Sequence, residues 1–226
     1  MLKKLHQTIF PNLCPVCREA STDAVAEICD SCFEACLPLE QPQCTLCAAP
    51  YDGFLNCCQD CLVQTPPWDA AVSSFHYTGA IRQGVHLFKY HQRTELLPFI
   101  VKVLATAQFD DVDVVCPVPM HWLKEFWRGY NQVDLLATTL AKTMGIPSKK
   151  LLKRRKWTRA QVRLNRKERL KNIVDVFRAV NKENIKGRSI LLLDDVMTTG
   201  ATLSACSQVL KTAGAKKIFI LTLARG

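Results

Sequence analysis

A chain of 226 residues, 48% apolar and 22% charged, has the balance of an ordinary globular protein, long enough for one substantial domain and a small one. No apolar run approaches the ~20 residues of a membrane-spanning helix, and MLKKLHQTIFPNLC lacks the apolar core and cleavage site of a signal peptide, so a cytoplasmic protein without membrane insertion is expected. The net charge of +10 is concentrated: Lys149 to Lys171 holds twelve Lys/Arg against the single acid Glu168, more than the whole surplus.

Ten of the twelve cysteines lie between Cys14 and Cys61, in four CxxC pairs: Cys14/Cys17, Cys29/Cys32, Cys44/Cys47 and Cys58/Cys61. Each pair can present two thiolates to one tetrahedral ion, and two pairs complete a four-thiolate zinc site, so two structural Zn2+ are expected. The short spacings favour sequential pairing; the cross-braced arrangement, first pair with third, stays open. Cys57 competes with Cys58 as a ligand, and Cys36 is left over. A disulfide framework fits poorly with the missing secretion signal, and an iron–sulfur cluster is the alternative thiolate chemistry. The stretch has few large apolar residues, so metal binding is expected to supply its folding energy.

Gln64-Thr-Pro-Pro-Trp68 ends the cysteine-rich stretch, and a boundary is placed there, giving a module over 1–65 and a larger domain over 66–226. Beyond it, strands alternate with helices: a strand over Ala71–Tyr77, then a helix over Gly79–Tyr90 with Ile81, Val85 and Phe88 inward. A helical pattern over Thr94–Ala107 has Pro98 near its start. A buried-type strand, Val112–Cys116, runs into Pro117-Val118-Pro119. A helix over Asn131–Met144 stops at Gly145 and Pro147, and a last strand covers Lys216–Leu223. This alternation predicts an α/β fold with a mostly parallel sheet, helices on both faces, and ligands at the carboxyl ends of strands.

Two stretches carry chemistry. In CPVPMHWLKEFWRGYNQ, Arg128 to Gln132 follow a strand end, and Trp122, Phe126 and Trp127 lie beside a positive loop where they could stack on a base or on single-stranded DNA. The basic run after it reads as a solvated face, a loop closing over pyrophosphate, or a nucleic-acid groove. His76, His86, His91 and His121 form no ligand pattern with the cysteines, and Trp68, Phe75 and Tyr77 read as packing.

The second stretch is SILLLDDVMTTGAT. A short apolar strand, Ile190–Leu193, ends in Asp194 and Asp195. A turn of Thr198, Thr199, Gly200, Ala201 and Thr202 follows, and then a helix with Leu203, Cys206, Val209 and Leu210 at helical spacing. Convergent N–H groups, the helix dipole and hydroxyls suit a phosphate there, whereas the carboxylates suit hydroxyl donors. A phosphorylated sugar satisfies both halves; helix capping alone is the plainer alternative.

ILLLDDVMTTGAT resembles the phosphoribosyl-pyrophosphate (PRPP) motif of type I phosphoribosyltransferases. That resemblance implies that Asp194 and Asp195 hold ribose hydroxyls and that Thr198–Thr202 wrap the 5′-phosphate of Mg2+-PRPP. The PVP…RGYNQ stretch, Gln161-x-x-Leu164, Arg169-x-x-Asn172, Phe177 and the cysteine-rich front end together resemble the ComF/GntX family over essentially the whole chain. The family implies a type I phosphoribosyltransferase-like domain behind a double zinc ribbon, with metal ligands Cys14, Cys17, Cys29, Cys32, Cys44, Cys47, Cys58 and Cys61. It also implies a competence role in using extracellular DNA, with partners such as single-stranded DNA or a DNA-uptake helicase. As an enzyme, a transferase of unknown acceptor, it would use Asp194, Asp195, Arg128 and Arg169, the arginines stabilising departing pyrophosphate. As a non-catalytic component it would keep the fold for DNA or protein contacts.

Overall fold

The computed structural model describes residues 13–19, 28–120, 131–155 and 176–226. Four parallel strands form its centre, in the order β1 (Ala70–His76), β6 (Lys217–Arg225), β5 (Ser189–Met197) and β2 (Val114–Pro117). Parallel strands covered on both faces read as unbroken apolar runs. β5 and β6 fit this: Ser189–Leu193 and Ile218–Ala224 are buried throughout. Leu191, Leu193, Phe219, Leu221 and Leu223 share one core cluster with helices α3 (Gly79–Tyr90), α4 (Leu97–Leu104) and α5 (Gln132–Met144). Ile190, Leu192, Ile218 and Ile220 face the other way, toward α6 (Ala201–Thr212) and an antiparallel pair, β3 (Leu152–Arg154) with β4 (Phe177–Ala179).

The helices form where the spacing predicts them. α3 buries Ile81, Gly84, Val85 and Phe88. Asn131 caps α5 by accepting the Val133 amide at 3.1 Å, and Gly145 ends it in the left-handed conformation. The Thr94–Ala107 pattern divides into a 3-10 turn, Thr94–Leu96, and α4. β5 runs longer than expected. The apolar run stops at Leu193, but β6 continues beside it, pairing Asp194 with Thr222 and Met197 with Arg225. The two carboxylates therefore sit inside a strand rather than at its end.

The cysteine-rich segment folds as two copies of one knuckle. Arg18 and Ala48 both take positive φ, and their amides donate to Cys14 O at 2.9 Å and Cys44 O at 2.8 Å. Each copy continues into a five-residue helix, α1 (Asp30–Glu34) and α2 (Gln59–Val63), with Cys29 and Cys58 as N-caps. The copies straddle the β1 edge. Cys14, Val16, Ile28, Cys32 and Cys36 join the cluster with α3 and α4, whereas Ala48 joins the opposite one with Trp68. Between them the chain runs along β1, Leu39 N donating to Ser74 O at 3.0 Å and His76 N to Leu37 O at 2.9 Å. At the other edge Lys149 N donates to Val115 O at 2.9 Å, so both outer strands have neighbours that use their open hydrogen-bonding groups.

Candidate functional site

Successive residues of a strand point to opposite faces, and this separates the acidic pair. Asp195 is 5% exposed and turns toward α3 and α5, where Lys89 Nζ stands 2.7 Å from its Oδ1 and Gln132 Nε2 donates to Oδ2 at 3.3 Å. Burial works against the Lys89 charge, but the Asp195 carboxylate outweighs it and raises the lysine pKa. Asp194 is half-buried and receives the Asp195 amide on Oδ1 at 2.9 Å. Desolvation and then the neighbouring Asp195 charge push the Asp194 carboxyl up to about 7, with Lys89 and Arg154 pulling the other way.

Asp194 and residues 196–203 line one small polar cavity of about 50 Å3. Gly200 closes the turn with φ +69° as the N-cap of α6, and its carbonyl accepts the Ser204 amide at 2.8 Å. Ala201 and Thr202 belong to the first turn of that helix rather than to the loop before it. Thr199 Oγ1 accepts the Ala201 amide at 3.4 Å, and Thr198 and Thr199 are exposed. The sequence-predicted loop thus comes together with Asp194 around one cavity, and Asp195 does not line it.

A larger cleft of about 240 Å3 opens beside Pro117 and Pro119, against Asn131 and Asp134 of the α5 start and Lys150, Leu152, Lys153 and Arg154. Lys150 pairs with Asp134 across it. Arg154 lies over the Phe177 ring at 5.5 Å, while Lys149, Lys150, Lys153 and Arg155 are exposed. Arg128, Arg169 and the remaining basic and aromatic residues of 121–130 and 156–175 lie outside the described residues.

The eight cysteines form two sets, Cys14/Cys17/Cys29/Cys32 and Cys44/Cys47/Cys58/Cys61, with all sulfurs of a set within 4.8 Å of one another. Pairing is sequential, and Cys58 rather than Cys57 completes the second set. Two thiolates on one zinc stand about 3.8 Å apart for Zn–S bonds of about 2.3 Å in a tetrahedron. The Cys17–Cys29 and Cys47–Cys58 sulfurs, at 3.6 and 3.7 Å, fit that ion. Amides reinforce the thiolates, Cys29 N donating to Cys14 Sγ at 3.4 Å and Cys58 N to Cys44 Sγ at 3.3 Å.

Two side chains escaped the sequence reading. Lys89 stands in the last turn of α3, and its reach to Asp195 depends on how that helix packs. Trp68, read as packing, also hydrogen-bonds through Nε1 to Leu46 O, and its Cη2 lies 3.4 Å from where a Cβ on Gly200 would stand.

Residues 5–62 match the double zinc ribbon domain family and residues 135–226 the phosphoribosyl transferase domain family. Competence protein F of Haemophilus influenzae is 32% identical over 194 residues, covering 81% of this chain and 85% of that protein. The DNA utilization protein YhgH of Salmonella typhi is 29% identical over 225 residues, covering 95% of this chain and 97% of that protein. Among solved structures, the APRTase of Giardia lamblia is 18% identical, with a TM-score of 0.40 over 62% of this chain and 71% of that one.

Proposed function

As the chain belongs to the competence protein F (ComF) family, we propose that it is a PRPP-binding, phosphoribosyltransferase-like protein acting in the cytoplasm in competence, the uptake and use of extracellular DNA. The observation that carries the PRPP reading is the single cavity shared by Asp194 and the Thr198–Thr202 loop at the start of α6. Loop amides and hydroxyls hold the 5′-phosphate, where the helix dipole favours an anion. Asp194 accepts from the ribose hydroxyls. Asp195 positions it, because the Asp195 backbone is fixed by its side-chain contacts with Lys89 and Gln132.

A single ligand-facing carboxylate suits Mg2+, which keeps several waters and binds largely through substrate phosphates. When bound, the ion neutralises pyrophosphate charge. Breaking the bond to pyrophosphate leaves an oxocarbenium-like ribose, so the protein contributes mainly positioning and electrostatics. Arg128 and Arg169 are the candidates for the departing charge, on the strength of the resemblance; no general base for an acceptor is nominated. Thiolate ligands accord with a reducing compartment.

The test is calorimetric titration of the zinc-loaded protein with PRPP, with and without Mg2+, beside Asp194→Asn. Mg2+-dependent binding that disappears in the variant supports the reading; equal affinity in the variant removes it. The exposed Lys149, Lys150, Lys153 and Arg155 favour a second reading, in which the protein binds single-stranded DNA there without turnover. Such binding would weaken steeply with salt and ignore Asp194→Asn.

A further inference from the structure

The two knuckles repeat each other in backbone, yet among the described residues it is the second that reaches the phosphate loop. Leu46 lies between the ligands Cys44 and Cys47, and its carbonyl accepts the Trp68 indole N–H. The far edge of that indole lies against Gly200. The Cys47 carbonyl accepts from Arg225 Nη1 at 2.6 Å. Arg225 stands opposite Met197 in the β5–β6 ladder, and the next amide, Gly226 N, donates to Met197 O at 3.0 Å. One ligand-bearing turn is therefore joined to the loop at Met197, the strand residue just before it, and at Gly200, which closes it. The first knuckle is tethered elsewhere, Gln83 Nε2 donating to Val16 O at 3.2 Å on α3.

We propose that the second four-thiolate centre is a positioning element of the phosphate loop, and that the first is not. Metal at Cys44, Cys47, Cys58 and Cys61 fixes the direction of the Leu46 and Cys47 carbonyls. These hold Trp68 and Arg225, which in turn hold Met197–Gly200 in the shape that receives phosphate. Such coupling is reciprocal: whatever strengthens phosphate binding through this turn also strengthens retention of that metal. The proposal rests on the loop being the PRPP site.

The test uses the zinc-loaded full chain and two readouts, calorimetric affinity for Mg2+-PRPP and the rate of zinc release to a chromogenic chelator with and without Mg2+-PRPP. Saturating ligand should slow release of one of two zinc equivalents severalfold in the wild type. Trp68→Phe combined with Arg225→Met keeps the aromatic ring but removes both hydrogen bonds. It should retain two zinc, bind PRPP about tenfold more weakly and lose the protection. Gln83→Ala should match the wild type in both readouts. Should the double variant fail to hold zinc, Arg225→Met alone serves, with the same direction expected. Wild-type affinity in a zinc-replete variant, or two equally unprotected zinc ions in a wild type that binds PRPP, overturns the proposal. A wild type that binds no PRPP overturns the loop assignment itself, and this proposal with it.

Discussion

Lys89 Nζ lies 2.7 Å from Asp195 Oδ1, and this pair turns Asp195 away from the cavity that Asp194 lines. Asp195 spends its oxygens on Lys89 and Gln132, so Asp194 is the one that faces the loop. Removing the cation leaves a buried carboxylate uncompensated. Lys89→Met should therefore destabilise the protein by about 3 kcal/mol, read as a lowered urea midpoint at pH 7. Lys89→Met with Asp195→Leu should recover most of the loss, and a single variant as stable as the wild type would show the pair to be dispensable.

Asp194 sets a pH dependence. Its carboxyl titrates at about 7 in the folded protein against 3.8 as the reference. Between those values the unfolded chain has released a proton that the folded one retains, so stability falls as pH rises through this window and levels off above it. Asp194→Asn should flatten that decline, measured as the difference between the two melting curves from pH 4 to 8. Ligand binding runs the other way. On the proposed reading Mg2+-PRPP uses the Asp194 carboxylate, so wild-type affinity should rise across pH 6 to 8.

Gly200 holds φ +69°, with Trp68 3.4 Å from its missing Cβ. Left-handed backbone costs a residue bearing a Cβ roughly 1–2 kcal/mol, and a branched side chain adds a clash with the indole. Gly200→Ala should lower the melting temperature and weaken PRPP binding, and Gly200→Val should abolish binding. A Gly200→Val protein with wild-type affinity would be incompatible with phosphate sitting in this loop.

Zinc stoichiometry separates the two adjacent cysteines. Cys58 belongs to the second set and Cys57 does not, so elemental analysis should find two zinc per chain in Cys57→Ser and one in Cys58→Ser. The reverse result would reassign the ligand.

Arg154 and Arg155 are neighbours with different work. Arg154 packs over Phe177 near Asp194, whereas Arg155 is exposed. Arg155→Glu should leave the melting temperature unchanged and weaken any binding of single-stranded DNA at low salt; Arg154→Glu should destabilise. Equal stability losses would mean both side chains are structural.

Much of this was legible in the chain itself. Ile81, Val85 and Phe88 mark the inner face of α3, Gly145 the stop of α5, and the CxxC spacing the four cysteine pairs, because those signals are local. The end of β5 was not legible. The strand is prolonged by β6 pairing beside Asp194–Met197, which no apolar pattern records. The period-two split of Asp194 from Asp195 follows from that prolongation, as does the role of Lys89, more than a hundred residues earlier in the chain. Trp68 reads as packing in one dimension and as a link to both Leu46 and Gly200 in three.

The grip of residues 37–45 on β1 also bears on how the chain is made. Ala70 pairs with Phe219, so β1 waits for nearly the whole polypeptide before its inner neighbour exists, and such long-range pairing is slow. The amides and carbonyls of its outer side, by contrast, find Leu37, Leu39 and Thr45 as soon as the metal module has emerged and folded. The segment that covers the outer side of β1 is thus made well before the strand that covers its inner side. Chains made without metal should leave β1 uncovered on both sides for longer, and a larger aggregated fraction on expression under zinc depletion is the expected outcome.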